Sequence, residues 1–302
     1  MYNSNNEFFM SPKNDYVFKK IFGDENNKDI LSSFLSCVIN EQINDVSILN
    51  NEITKENTAD KKSILDIRAT INDGVQIDIE IQLSRTIYMP ARSLYYWSKI
   101  YMEQLQIGQI YKKLNRTICI NILDFISTES KKYHSVYRLK ETEENFELTN
   151  LMEIHFIEIP KLKGYEKNDV LSQWINFINA DSREELKKMA IVNKNIDKAF
   201  DILNVMSQNK EERAAYLSRE MALHDEVTKL EEALQEGRQE GRQEGRQEGR
   251  QEGLEEGRQE GLEEGEKKKA LEIAKNLLDI LDNETIAIKT GLTLDEIENL
   301  RK

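Results

Sequence analysis

Cysteine is nearly absent: Cys37 and Cys119 are the two thiols in 302 residues, too few for a disulfide-stapled scaffold. Nothing at the amino end reads as a basic region followed by an apolar signal segment, so a reducing cytoplasm is expected rather than secretion. No run approaches the roughly 18 consecutive apolar residues that span a bilayer, and no membrane partner is expected. Histidine occurs three times, at His134, His155 and His224, without the paired spacing of a zinc site. Histidine-built metallohydrolase chemistry is set aside. Positive charge is also in deficit. Against 55 Asp and Glu stand 42 Lys and Arg, a net charge of −13, which argues against a protein that coats nucleic acid by bulk charge while leaving local contact with DNA open. Most of the acidity is in the tail, because residues 211–302 hold 25 acids and 15 bases and residues 1–210 hold 30 and 27.

What is present is a patterned amino-terminal half. The length suggests one core domain plus an extension. In residues 13–38, Val17, Phe18, Ile21 and Phe22 fall at helical spacing, and Ile30, Leu31, Phe34 and Leu35 resume it after Gly23. Residues 46–53 form a candidate first strand. The segments 63–71 and 75–83 alternate with period two around Asn72-Asp73-Gly74, a hairpin signal. A helix is expected over 89–106 with Pro90 in its first turn. The continuous apolar run 116–125 suits a buried central strand, and strand-like stretches follow at 134–141 and 151–160. After Pro160 the pattern turns helical. The expected class is an α/β core in the order αβββαβ with an all-helical extension.

Loop length fixes the register of the hairpin. A two-residue loop at Asp73-Gly74 would set Asp66 opposite Ile81 and mix charged with apolar groups on each face. A three-residue loop, a type I turn with Gly74 in the left-handed region, makes every pair agree in character. Leu65 then faces Ile81, Ile67 faces Ile79 and Ala69 faces Ile77. On the other face Arg68 meets Asp78, Asp66 meets Glu80 and Ile64 meets Gln82. Two like charges directly opposed are unfavourable unless one is protonated or a cation lies between them, and two carboxylates are a reasonable oxygen site for Mg²⁺. From alternation alone, a solvated polar face remains an equal reading. The following helix carries Arg92, Tyr95, Tyr96 and Lys99, groups able to reach a phosphate or an attacking water; for Tyr95 and Trp97 core packing is the expectation.

These residues have a family likeness. Asp66 followed by Asp78-Ile79-Glu80-Ile81-Gln82, with a helix before and a helix and strand after, resembles the PD-(D/E)XK nuclease superfamily. The opening SPKNDYVFKKIFG, the RSLYYWSKIY helix, the glycine-glutamate tail and the closing TGLTLDEIENL resemble its recombination-promoting nuclease, or transposase-like, branch, over nearly the whole chain. The resemblance implies that Asp66 and Glu80 bind a catalytic Mg²⁺ or Mn²⁺ and that Gln82 holds the position usually occupied by lysine. An amide can orient a water but brings no charge, which implies either reduced activity or a lysine or arginine from elsewhere, such as Lys99 or Arg92, taking over the charge. Asp15 either adds an acidic group or caps its helix. The implied activity is metal-dependent DNA endonucleolysis linked to recombination or mobile elements. The alternative is a catalytically weak or inactive DNA-associated protein that assembles through its tail.

Glycines recur every fourth residue from Gly237 to Gly265. On a helix this period makes each residue type a stripe drifting about 40° per repeat, so i,i+4 neighbours are largely alike and no internal Glu-to-Arg pairing supports the helix. Eight helical glycines cost roughly 8 kcal/mol relative to alanine. An oligomerisation helix whose arginine row meets a partner's glutamate row is one reading and a flexible soluble linker the other. The end of the chain outlines two helices around Thr290-Gly291, but Asp295, Glu296 and Glu298 on the second, with only Arg301 and Lys302 as bases, fit assembly better than DNA reading. The expected organisation is a nuclease-like core at 1–160, a helical region at 161–210, a repeat tail at 211–266 and a helical hairpin at 267–302, with DNA and further copies, held through 211–302, as partners.

Overall fold

The structure, a computed structural model, describes residues 8–51, 65–164, 169–191 and 193–301. The expectations for Ile64, for the ends of the first two strands at 52–53 and 63–64, and for Lys302 lie outside the described residues. Two compact units are present, Met1–Val227 and Thr228–Lys302.

In the first unit, α1 (Asp15–Phe22) begins where the Asn14 side chain accepts a hydrogen bond from Tyr16 N, and it buries Val17, Phe18, Ile21 and Phe22. Asn14, not Asp15, is therefore the cap. Helix α2 (Lys28–Ile39) precedes β1 (Val46–Ile48), β2 (Ile67–Ile71) and β3 (Val75–Gln82). Then come α3 (Met89–Glu103), β4 (Thr117–Leu123), β5 (His134–Tyr137), β6 (Met152–Glu158), α4 (Val170–Ile178), α5 (Arg183–Ala190), α6 (Lys194–Gln208) and the first turns of α7 (Lys210–Leu277). Helix α3 stops at Glu103, three residues short of the expected end.

The six strands lie in the order β1-β2-β3-β4-β6-β5. The first three are antiparallel, β3, β4 and β6 are parallel, and β5 returns antiparallel to β6. Parallel pairing of β3 with β4 requires a crossover, which α3 supplies. Strand β4 is buried along its whole length, as its unbroken apolar run implies. The isoleucines of one sheet face, including Ile77, Ile79, Ile118 and Ile120, join α1, α2, α4 and α6 in the main core around Trp174 and Phe34. The other face packs Leu65, Cys119, Leu123 and Phe156 beneath Met89 and Ile100 of α3. Trp97 packs against that second cluster, but Tyr95, expected inside, is exposed, because it points away from the side of α3 that meets the sheet.

The hairpin register is the one that places like with like: Ile67 pairs with Ile79, Arg68 with Asp78 and Ala69 with Ile77. Gly74 has φ +92°, as the three-residue loop requires. The loop departs from a type I turn, however, since Asn72 is itself left-handed at φ +43°. Its side chain accepts from Asn44 N at 2.9 Å and donates to Gln42 O at 3.1 Å, and asparagine tolerates that conformation better than other L-residues. The polar face of β3 is not solvated: Asp78 and Glu80 are each 1% exposed beneath α3.

In the second unit α7 continues as helix through every repeat, with exposed side chains and open space beyond each of the eight glycines. Helices α8 (Asn283–Thr290) and α9 (Leu294–Arg301) follow, separated at the left-handed Gly291. They close a small core of Ala274, Ile286, Leu292 and Ile297.

Candidate active site

Residues two apart on a strand share a face, so Glu80 and Gln82 stand side by side at the carboxyl end of β3. Asp66 lies just outside β2, where the regular ladder has ended at Ile67–Ile79, so Asp66 and Glu80 are not a ladder pair. Their contact is reciprocal instead. Asp66 N donates to Glu80 Oε1 at 3.1 Å, and Ile81 N donates to Asp66 Oδ2 at 2.9 Å. Each carboxylate thus spends one oxygen on the opposite backbone and turns the other to a cation. Lys19 Nζ is 2.8 Å from Asp66 Oδ1, and Arg92 Nη2 is 3.1 Å from Glu80 Oε2. The opposed negative charges are tolerable because two positive groups accompany them.

Arg92 also fixes Gln82. Its Nη1 donates to Gln82 Oε1 at 3.2 Å, which leaves the amide nitrogen turned to Glu80 Oε2 at 3.5 Å. The guanidinium lies 5.2 Å from the centre of the Tyr96 ring, a favourable cation–π distance, so Tyr96 supports the site through Arg92. Lys99, two turns further along α3, has its ammonium 5.9 Å from the Tyr95 ring centre. Asp15 receives a fork from Arg219, with Nε at 2.8 Å and Nη2 at 2.6 Å, and its Oδ2 is 4.0 Å from Lys19. A small cavity collects Asp15, Asp66 and Gln82 from the core with Arg219, Leu223 and Glu226 from α7.

Burial raises the carboxyl of Glu80 well above its usual range, and Asp78 and Asp66 add to the effect while Arg92 opposes it. Burial likewise lifts Asp78 to about 7. The Cys119 thiol, buried against Asp78, is pushed up too. Arg68 stands opposite Asp78 as expected, but its guanidinium makes its ion pair with Glu103 at 2.8 Å. A buried acidic pair with one orphaned oxygen, Asp78 Oδ1, is a local excess of negative potential that favours added positive charge.

A family model described as PD-(D/E)XK nuclease family transposase matches residues 12–233. The chain belongs to that family. No curated protein and no solved structure shows significant similarity to it. The mixed α/β sheet followed by long helices is the PD-(D/E)XK fold, and transposases of this family imply DNA as a partner. Nucleases of the PD-(D/E)XK class typically use divalent metals. The residues here fit such an ion. Among the described residues no group of three or more His, Cys, Asp or Glu forms a ligand cluster, so two carboxylates are the available donors, which is within what Mg²⁺ uses when it retains several waters. Asp66 and Glu80, each with one oxygen turned to a cationic side chain, are the residues that would hold such an ion.

Of the residues named from sequence, the fold gathers Asp66, Glu80, Gln82, Arg92, Tyr96 and Asp15. Lys19 and Arg219 are additions. Lys19 had a weak signal, since it lies four residues after Asp15 on one face of α1. Arg219 had none, because its contact with Asp15 closes a loop of about two hundred residues. Among the described residues no helix is long and apolar enough to cross a membrane.

Proposed function

We propose that this PD-(D/E)XK family protein is a DNA endonuclease dependent on Mg²⁺ or Mn²⁺, serving recombination or the movement of mobile elements. The reciprocal clamp between Asp66 and Glu80 carries the reading: two backbone hydrogen bonds preorganise two carboxylates, each with its second oxygen turned to a cationic side chain, where a metal ion's charge would also be met. In the proposed roles Asp66 and Glu80 hold the metal. When bound, the ion supplies positive charge that activates water and polarises the phosphodiester. The Gln82 amide orients the water, and Arg92, steadied by Tyr96, holds the phosphate. The burial of Glu80 keeps these groups in a low dielectric, where charge interactions are stronger than in water. Copies of the chain associate through 211–302, with the repeat helix as the contact.

Two observations favour a second reading, that of a DNA-associated assembly protein with weak or no cleavage: a neutral Gln82 stands beside Glu80, and the long repeat helix exposes its side chains throughout. Plasmid incubated with purified protein, with and without Mg²⁺, separates the two. Metal-dependent nicking is expected, and Asp66→Ala or Glu80→Ala abolishes it with the circular dichroism unchanged. Wild-type nicking by either variant refutes the assignment.

A further inference from the structure

Asp66 and Glu80 meet at the carboxyl end of β3, Asp78 lies buried two residues before Glu80 on the same strand, Asp15 adjoins Asp66 from α1, and a phosphodiester is itself an anion. Even with a metal bound, charge building on a non-bridging phosphate oxygen needs a donor that is positive and close. Gln82 is neutral. Arg92, placed above on the phosphate, has one guanidinium nitrogen on Glu80 and another on Gln82, so it serves the β3 flank of the site. On the other flank stands Lys19. Its ammonium, on a side chain one-third exposed, is 2.8 Å from Asp66 Oδ1. An ammonium has three donors and a flexible stem, so contact with Asp66 leaves N–H groups available to a phosphate.

We propose that Lys19 supplies the cationic group of this site that Gln82 lacks, and that Asp15 and Arg219 position it. The proposal rests on the endonuclease reading and adds the source of the missing charge. Placement follows from helix geometry. Lys19 succeeds the buried Phe18 on α1 and lies one turn from Asp15, so core packing of α1 aims both polar groups at the mouth of the hairpin. Arg219 then pins Asp15 with both carboxylate oxygens engaged. The neighbouring Lys20 pairs with Glu212 instead. The start of α7 is held to the core by Asn14 on Glu220 at 2.9 Å and by Phe8 against Tyr216, so Arg219 sits on a fixed support. In the reaction a water oxygen bonds to phosphorus, one P–O ester bond breaks, and the water's proton passes to the released oxygen, giving a phosphomonoester and a hydroxyl. Lys19 donates a hydrogen bond to the non-bridging oxygen as charge grows there.

The test compares full-length variants by kcat and KM for plasmid nicking, by DNA binding without metal, and by circular dichroism. Lys19→Met, which keeps the stem, is expected to lower kcat by about 10²- to 10³-fold, the usual loss for one transition-state donor, with KM and metal-free binding nearly unchanged. Lys19→Arg, which retains the charge, recovers a substantial part. Arg219→Ala is expected to lower kcat by about 10- to 100-fold, as a displaced catalytic group does. Gln82→Lys alone retains or raises activity, and added to either Lys19→Met or Arg219→Ala it restores cleavage, because an ammonium beside Glu80 no longer needs α1 or α7 to place it. A merely structural role for Lys19 or Arg219 would not be relieved by a change on β3. A folded Lys19→Met that cleaves at the wild-type rate, or failure of Gln82→Lys to relieve Lys19→Met and Arg219→Ala, overturns the proposal and leaves the endonuclease reading standing. A wild-type protein that cleaves nothing overturns both.

Discussion

Glutamine in place of Glu153 should cost the protein on the order of 3 kcal/mol at neutral pH and only about a quarter of that near pH 2.5. Glu153 is 2% exposed on β6. Burial alone would raise its carboxyl, but the hydrogen bond from His155 Nε2 at 2.6 Å, with Arg116 at 2.9 Å and Arg138 at 2.6 Å, outweighs burial and brings it from 4.5 to about 2. At 1.36 kcal/mol per pKa unit that gap is on the order of 3 kcal/mol. Because the folded value is depressed, the stabilisation is fully present above pH 4.5 and disappears as pH falls toward 2. The variant leaves neither arginine stranded: Arg116 keeps Glu41 at 2.6 Å and Arg138 keeps Glu147 at 3.0 Å. The loss therefore stays near the lower end of the roughly 3–5 kcal/mol that follows from breaking a buried pair. Urea unfolding of wild type and Glu153→Gln at pH 7 and again near pH 2.5 gives the two differences. Equal differences at both pH values would show that packing rather than charge is lost, and would refute the reasoning. Plasmid nicking at 25 °C should be unaffected, since Glu153 registers with Ile118 and, across it, Ile77, three residues from Glu80 and two strands over.

Two further outcomes are expected. His134, held down to about 4 by burial and by His155, is neutral in the fold, so stability is lost as pH falls from about 6.5 toward 4; His134→Gln should flatten the urea midpoint between pH 7 and pH 5, and an unchanged pH dependence would sink this account. Deleting residues 237–265 should lower the oligomeric state seen by light scattering and reduce cleavage only through lost avidity, and salt should weaken the wild-type assembly because charge rows at a surface are screened over about 8 Å; a monomer in every sample would favour the linker reading.

The hairpin could be read from sequence because a period of two ties pairing to chemistry: a shift of one residue would have put Asp66 on Ile81, and the observed Ile67–Ile79 and Arg68–Asp78 pairs are those that avoid such mixing. The buried β4 was legible for a similar reason, since seven consecutive residues need cover on both faces. What alternation does not encode is where a strand stops. The ladder ends at Ile67–Ile79, although the pairing rule runs on through Asp66–Glu80 and Leu65–Ile81, and the Asp66 carboxylate serves the backbone of Ile81 instead of standing opposite Glu80. Nor does local pattern reveal contacts made by distant segments. Asp15 looks like a cap until Arg219 arrives on it, and Lys19 is one lysine among several until α1 is packed against the hairpin. Tyr95 was misplaced because an aromatic-rich helix offers more rings than one buried face accepts.

The cavity beside Asp66 is walled by residues from both ends of the first unit, Asp15 and Gln82 on one side and Arg219 and Glu226 on the other. During synthesis at about 5–20 residues per second, the interval from Gln82 to Glu226 lasts roughly 7 to 30 seconds. Throughout it the strand carrying the acidic pair exists without its last wall. A nascent chain therefore lacks the finished cavity until the first turns of α7 have been made, and an interrupted chain that ends within the sheet never acquires it.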